Sequence, residues 1–140
     1  MRIALDTNVL VSGLLTPAGP PARFVDLVIS RRVSVLYDDR ILLEYRDVLS
    51  RPRLRIDPLE SGAILELVEA EGLLVSAPPL AVELPDPDDL PFLEVAVAAA
   101  ADALVSGNAR DFMPVRGSHG ANVLAPVQFL SEFSARHPTG

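Results

Sequence analysis

Residues 2–15 read RIALDTNVLVSGLL, and this stretch decides the fold class. Residues 2–5 are predicted to form a short strand that ends at Asp6, and residues 8–15 have the character of a helix. A strand that leads through two polar residues, here Asp6 and Thr7, into a helix is typical of the first unit of an α/β fold. The apolar run is short and is interrupted by Asp6 and Asn8. We therefore expect neither a signal peptide nor a membrane span, and we expect a cytoplasmic protein.

The rest of the chain continues the alternation of strands and helices. Further strands are predicted at 33–37, 73–76, 103–106 and 122–124, and further helices at 22–30, 40–50, 59–71, 92–101 and 126–136. Residues 77–91, rich in proline and aspartate, are predicted to form a loop. Strands separated by helices favour a three-layer α/β/α sandwich with a parallel central sheet. We expect residues 1–140 to form one domain.

Composition limits the chemistry. The 140 residues include no cysteine, so disulfides and thiolate metal sites are excluded. The formal net charge is −7, and every cationic side chain is an arginine. Such an acidic protein is a poor general binder of nucleic acid, because phosphate contacts need cationic groups. Two explanations of the charge stay open: it is concentrated in a metal site, or it serves solubility.

Three other α/β site types are disfavoured by missing residues. A dinucleotide-binding fold would have a glycine-rich loop after the first strand, and none is present. A phosphatase of the haloacid-dehalogenase type would have a second aspartate two residues after Asp6, where this chain has Asn8. A phosphotransfer receiver domain would need a lysine, and the sequence contains none.

Polar oxygen-bearing side chains follow the predicted strands or precede the next helix. They are Asp6, Asp38, Asp39, Asp86, Asp88, Asp89, Asn108 and Asp111. The carboxyl ends of parallel strands meet at one edge of a sheet, which is where ligands bind in such folds. Carboxylates crowded there repel each other, and a hard divalent cation that prefers oxygen ligands would neutralise them.

Glu44 joins this set for a geometric reason. It lies beside the apolar stripe of the helix at 40–50, next to Ile41 and Val48 by the three- and four-residue spacing. A carboxylate turned partly inward needs a partner or a metal. The other interpretation is a residue at the edge of the stripe that reaches water.

Each of the other side chains also has an ordinary structural explanation. Asp6, Asp38 and Asp39 are suited to cap the helices that follow them. The run at 86–89 and the two residues after the fourth strand are suited to turns. Their joint placement, and no single residue, predicts a site.

Four segments form an ordered set of motifs: IALDTNVLVSG at 3–13, ILLEYRDVL at 41–49, DPDDLPFLEVA at 86–96 and ALVSGNARDF at 103–112. This set resembles the motifs of the PIN-domain family, and more narrowly its branch of VapC-like toxins from toxin–antitoxin systems. The resemblance extends over residues 1 to about 130. Asp-Thr-Asn alone is a weak signal, whereas four motifs in order are specific.

The resemblance implies an endoribonuclease that hydrolyses RNA phosphodiester bonds with Mg²⁺ or Mn²⁺ as cofactor. The resemblance assigns Asp6, Glu44 and Asp89 as the catalytic, metal-binding acids. As further members of the metal site we include Asp86, Asn108 and Asp111, with Thr7 and Ser12 as supporting polar residues.

Asn108 departs from the family pattern, because many PIN proteins have aspartate at this position. An amide oxygen is neutral, so the site would carry one negative charge fewer. Either Asp111 substitutes for the missing carboxylate, or the protein works with one well-held ion. Both alternatives stay open.

The resemblance also implies partners: an RNA substrate, an antitoxin protein and a second copy of the chain in a homodimer. Arg46, Arg51 and Arg53 are candidates for binding the RNA backbone; the other interpretation is a solvated charged face that pairs with nearby acids. The alternative function is a non-catalytic protein of the same fold that binds protein or RNA, with Asn108 marking a site that has lost its activity.

Overall fold

The computed structural model describes residues 1–115 and 119–137. Its regular elements are β1 (Arg2–Leu5), α1 (Thr7–Leu15), α2 (Pro20–Ile29), β2 (Ser34–Tyr37), α3 (Asp39–Leu49), α4 (Pro58–Glu71), β3 (Leu73–Leu74), α5 (Leu90–Ala98), β4 (Ala103–Val105), β5 (Val123–Leu124) and α6 (Pro126–Arg136). Short 3₁₀ helices lie at Pro52–Leu54, Pro87–Asp89 and Ala109–Val115.

The five strands form one parallel sheet in the order β3-β2-β1-β4-β5. The central strand β1 is apolar and buried from Ile3 to Leu5, as expected for a strand that is covered on both faces. The predicted three-layer α/β/α sandwich with a parallel sheet is confirmed. Since all strands run the same way, the carboxyl ends of β1, β2 and β4 lie at one edge.

Three predicted helix boundaries were wrong by at least two residues: the start of α2 and both ends of α5. Helix α2 begins at Pro20 and not at residue 22, because proline lacks an N–H and fits a first helical turn, where that group has no helical partner. Helix α5 ends at Ala98 and not at residue 101. Ala100 adopts a left-handed conformation (φ 49°) and closes the helix end with a hydrogen bond from its N–H to the carbonyl of Val97.

The connections are more ordered than predicted. Strand β3 is limited to Leu73–Leu74 at the sheet edge, where pairing is available on one side alone. The predicted loop at 77–91 contains the 3₁₀ helix Pro87–Asp89, and α5 begins within it, at Leu90. The segment after β4, where Asn108 and Asp111 were suited to turns, contains the 3₁₀ helix Ala109–Val115.

The cap predicted at the start of α3 is confirmed. Asp38 accepts a hydrogen bond from the N–H of Ile41 at 3.1 Å, and Asp39 lies in the first helical turn. None of the helices in the described ranges, 1–115 and 119–137, is both long and apolar enough to cross a membrane.

Candidate active site

A cleft of about 430 Å³ opens at the carboxyl edge of the sheet. The acids that line it are Asp6, Glu44, Asp86, Asp88, Asp89 and Asp111, and the other polar residues are Thr7, Asn8, Ser12, Asn108, Arg51 and Arg53. The fold therefore brings together every residue that the motifs assign to the site except Arg46, from four separate stretches of the chain. Asp38 and Asp39, which also follow a predicted strand, do not line the cleft.

Asp6 stands directly after β1 and is almost fully buried. Its N–H continues the ladder by donating to the carbonyl of Val105 at 2.9 Å, and its carboxylate accepts a hydrogen bond from the hydroxyl of Ser106 at 2.7 Å. The side chain makes no capping bond to α1, so the alternative role as a helix cap does not apply. Burial raises the pKa of Asp6 above its ordinary value, and the bond from Ser106 offsets only part of that rise.

Glu44 reaches the cleft from α3. Its carboxylate accepts a hydrogen bond from the hydroxyl of Thr7, the first residue of α1. Burial is the largest cause of a raised pKa for Glu44, the Thr7 bond lowers it, and the charge of Asp6 raises it further. The side chain is thus held toward Asp6, as expected for a carboxylate turned partly inward.

Asp89 lies at the junction of the 3₁₀ helix and α5 and is 9% exposed. Burial raises its pKa to about 7, together with the negative charges of Asp6, Asp86, Asp111 and Glu44. No ion-pair partner of Asp89 occurs in the described part of the chain. The cleft therefore concentrates negative charge, and in the described residues none of its acids forms an ion pair with an arginine.

Asp86 has a structural role as well as a place in the cleft. Its side chain accepts a hydrogen bond from the N–H of Asp88 at 2.9 Å, and its carbonyl accepts one from the N–H of Asp89 at 3.1 Å. The turn explanation is therefore correct for Asp86, and this turn presents Asp88 and Asp89 to the cleft.

Sequence reasoning missed two residues that hold the site together. Ser106 donates to Asp6 and accepts from the N–H of Asn108 at 3.0 Å, while Asn8 accepts from the N–H of Gly107 at 3.1 Å. The register of the two strands could have indicated Ser106. Leu5 pairs with Val105, so Asp6 and Ser106, which follow them, lie side by side.

Asn108 and Asp111 both line the cleft, and the N–H of Asp111 donates to the carbonyl of Asn108 at 2.8 Å. Asp111 contributes to the raised pKa of Asp89, so its charge is felt within the site. Both alternatives for the fourth acid remain compatible with this placement.

The predicted arginines separate into two groups. Arg51 and Arg53 line the cleft, and Arg51 also pairs with Asp47 at 3.0 Å on the surface. Arg46 pairs with Glu69 of α4 and does not line the cleft. The solvated-face interpretation therefore describes the position of Arg46.

The oxygen-rich donor set fits a hard divalent cation. Within residues 1–115 and 119–137, no three acidic or histidine side chains are grouped closely enough to hold an ion directly as they stand. Mg²⁺ keeps several waters when it binds, so these carboxylates could hold it partly through its waters. The pKa values of Asp6, Glu44 and Asp89 are raised, which means that their charged forms are disfavoured in the metal-free cleft. A bound cation would favour the charged forms.

Three comparisons place the chain among known proteins. An uncharacterized protein of Methanocaldococcus jannaschii is 24% identical over 143 residues, which cover 95% of this chain and 92% of that protein. The fold is similar to a chain in the crystal structure of VapBC2 from Rickettsia felis bound to a DNA fragment from their promoter, with a TM-score of 0.59 and 14% identity. That match covers 89% of this chain and 98% of the other. The PIN domain family model matches residues 2–110, which include the whole acidic cleft except Asp111, and the chain therefore belongs to the PIN-domain family.

Proposed function

We propose that the protein is an endoribonuclease that uses Mg²⁺ or Mn²⁺ to hydrolyse RNA phosphodiester bonds, and that it is the toxin of a toxin–antitoxin pair. The observation that carries the proposal is the meeting of Asp6, Glu44 and Asp89 in one cleft, where no ion pair to any of them occurs among the described residues. PIN domains are generally nucleases, and the acids occupy the positions at which the motifs of this family were recognised.

The residues of the cleft have separable roles in this proposal. Asp6, Glu44 and Asp89 would hold the cation, with Asp86, Asn108 and Asp111 as the outer members of the site. The bound cation would supply charge stabilisation at the phosphate and a more acidic water as nucleophile. Ser106 and Thr7 orient the carboxylates of Asp6 and Glu44 through the hydrogen bonds described above.

The charge of the cleft has a consequence for RNA binding. The six acids that line it repel a phosphate backbone, so the substrate should enter well only when a cation is bound. Arg51 and Arg53 stand at the same cleft and are the residues we assign to the flanking phosphates. Their guanidinium groups can each bind phosphate oxygens in a forked geometry.

The first test combines metal binding with cleavage. Calorimetric titration of the metal-free protein with Mn²⁺ should show binding, and a mixed RNA pool should be cut with Mn²⁺ or Mg²⁺, spared with EDTA, and cut again when metal is restored. Single-stranded DNA of matched length serves as the substrate control. Absence of both binding and cutting would favour the non-catalytic alternative, in which the cleft is a binding surface and Asn108 marks the lost activity.

A second cavity is consistent with the antitoxin in this proposal. It has a volume of about 820 Å³ and lies between the end of α1, α2 and α4. Its walls are mostly apolar, and Leu15 and Ile29 in them are 45% and 55% exposed. Exposed apolar surface of this kind is typical of a protein interface.

We expect Ile29→Glu to weaken capture of the antitoxin, because a charged side chain in an apolar interface cannot regain its hydration. The measurement is co-purification of the tagged protein from its own cells, with Val127→Glu as the control, since Val127 is equally exposed on α6 and does not line the cavity. Equal capture by both variants would contradict this location for the partner.

The homodimer is proposed on the resemblance alone. Sedimentation of the purified 15.0 kDa chain tests it directly, and a mass of one chain at high concentration would count against it.

A further inference from the structure

Glu94 is a buried acid that the cleft does not include. It lies in the middle of α5, among apolar residues, and only 3% of its surface is exposed. A carboxylate that is removed from water needs partners, and Glu94 has one on each oxygen. The identity of those partners shows what the residue does.

The two oxygens of Glu94 face different segments of the chain. Arg40 donates from Nη1 to Oε1 at 2.6 Å, and the N–H of Leu80 donates to Oε2 at 2.7 Å. Arg40 lies in the first turn of α3, and Leu80 lies between β3 and the 3₁₀ helix Pro87–Asp89. Glu94 therefore ties α5 to two neighbouring segments at once.

Arg40 extends this connection to the start of α3. Its Nε and Nη2 donate to one oxygen of Asp38 at 3.0 and 2.7 Å, while the other oxygen of Asp38 caps the helix at Ile41. One planar guanidinium thus joins two carboxylates with directional, charge-assisted bonds.

The segments joined in this way are the ones that carry acids of the cleft. Glu44 lies one helical turn after Arg40 on α3, and Asp89 precedes Glu94 by little more than one turn at the start of α5. Asp86 and its turn end the segment that contains Leu80. The contacts of Glu94 therefore act on the positions of Glu44 and Asp89 relative to each other.

Only one member of this ion pair is buried, because the side chain of Glu94 is 3% exposed and that of Arg40 is 48% exposed. The pair makes a small net contribution to stability, because the cost of removing the carboxylate from water offsets much of the attraction. Its directional bonds nevertheless restrict how the joined elements move. We infer that Glu94 is a positioning residue: with Arg40 and the N–H of Leu80, it sets the spacing between Glu44 and Asp89 across the cleft. That this spacing serves to bind a cation rests on the proposed function. That Glu94 restrains the positions of the cleft acids does not rest on it.

The test compares three variants with the full-length wild-type chain. Glu94→Gln keeps the shape of the side chain but removes its charge and places an N–H₂ group against one of its two donors. Arg40→Lys keeps a cation beside Glu94 but loses the planar fork. Val68→Ala is the control for lost stability, since Val68 is a buried core residue of α4 that does not line the cleft.

The first readout is amide hydrogen exchange without metal, in urea concentrations that give all variants the same global free energy of unfolding. In Glu94→Gln we expect the amides of Leu80, Asp88 and Asp89 to exchange about tenfold faster than in Val68→Ala. Equal rates in the two variants would overturn the inference, because Glu94 would then contribute only to overall stability.

The second readout is Mn²⁺ binding by calorimetry. We expect the dissociation constant to rise about tenfold in Glu94→Gln, by a smaller factor in Arg40→Lys, and not in Val68→Ala. If Glu94→Gln does not fold, Arg40→Lys decides: weakened Mn²⁺ binding supports the role of the ion pair, and wild-type binding contradicts it. A wild-type protein that binds no Mn²⁺ would refute the proposed function, while selective exchange at Asp88 and Asp89 would still support positioning by Glu94.

Discussion

Asp89 has the clearly raised pKa that is expected of a buried carboxyl among other acids. Its pKa is raised to about 7, first by burial and then by the neighbouring carboxylates. In the unfolded chain the same group titrates near its ordinary value of 3.8. Between these two values the metal-free folded protein binds more protons than the unfolded chain does.

A pH dependence of stability follows from that difference. Asp89 makes its full contribution to the free energy of unfolding below the pKa that it has in the unfolded chain. That contribution is lost as the pH rises through about 7. We expect the free energy of unfolding of the metal-free wild type to fall from about pH 5 to about pH 8, and to fall less in Asp89→Asn. In Asp89→Asn the free energy of unfolding should still fall with pH, because the pKa values of Asp6 and Glu44 are also raised.

Urea unfolding in EDTA, followed by circular dichroism, measures this slope. Asp39→Asn is the control, because Asp39 is an exposed acid outside the cleft. At the upper end of the range we expect Asp89→Asn to be more stable than the wild type, since it removes one of the mutually repelling charges. Identical slopes in all three proteins would show that Asp89 is not perturbed as described.

At the residue scale, the acids were predictable and their supports were not. Asp6 and Asp89 follow strand ends or precede a helix, which the sequence displays. Ser106 becomes visible only when the register of β1 against β4 is known. Glu94 resembles an isolated polar residue in an apolar helix until the fold brings Arg40 and Leu80 to it.

At the element scale, the end of α5 shows a local conflict between sequence and conformation. Ala100 is exposed and has a positive φ of 49°, where glycine is strongly preferred. The following N–H, of Ala101, donates to the carbonyl of Ala96 at 2.9 Å, so the helix end is closed by a complete pair of bonds. The structure holds alanine in this conformation at a cost of about 1 kcal/mol.

We expect Ala100→Gly to raise the free energy of unfolding by about 0.5–1 kcal/mol, after allowance for the greater freedom of glycine in the unfolded chain. The measurement is chemical unfolding at neutral pH. Ala98→Gly is the matched control, since Ala98 is also exposed but still belongs to α5, as its last residue. It should lower the free energy of unfolding by about 0.5–1 kcal/mol. A loss of stability in Ala100→Gly would contradict the account of this helix end.

Elements with a clear apolar period were predicted well, and short or irregular ones were not. The helix at 59–71 and the strands at 2–5 and 103–106 agree with α4, β1 and β4 to within one residue. The 3₁₀ helix at Pro87–Asp89 begins with a local hydrogen bond from the N–H of Asp88 to the side chain of Asp86, and apolar periodicity carries no information about such a bond.

At the scale of the whole molecule, the net charge is −7 and the sequence contains no lysine. Arg51 and Arg53 line the cleft, but within residues 1–115 and 119–137 no arginine forms an ion pair with its acids. A divalent ion that binds the folded chain and not the unfolded one stabilises it by mass action. We expect saturating Mn²⁺ to raise the unfolding temperature by roughly 5–10 °C near pH 8. The increase should be smaller near pH 6, where Asp89 is largely protonated and protons compete with the metal.

Thermal unfolding with Mn²⁺, compared with sodium chloride at equal ionic strength, separates specific binding from screening. An increase that the sodium salt reproduces would contradict a metal site in the cleft.

Fold class was the most predictable property at this scale, because alternating strands and helices leave few topologies. The grouping of residues from four separate stretches around one cleft depended on the strand order, which periodicity alone does not provide.

The central claim is that the acidic cleft is the catalytic centre of a metal-dependent ribonuclease. Its most direct test is cleavage of a mixed RNA pool in Mn²⁺ by the wild type, Asp6→Asn and Asp39→Asn, all purified in the same way. We predict that the wild type and Asp39→Asn cut equally and that Asp6→Asn loses at least about 100-fold in rate, because a buried metal-binding oxygen is replaced by an amide. Cleavage by Asp6→Asn at the wild-type rate would contradict the claim.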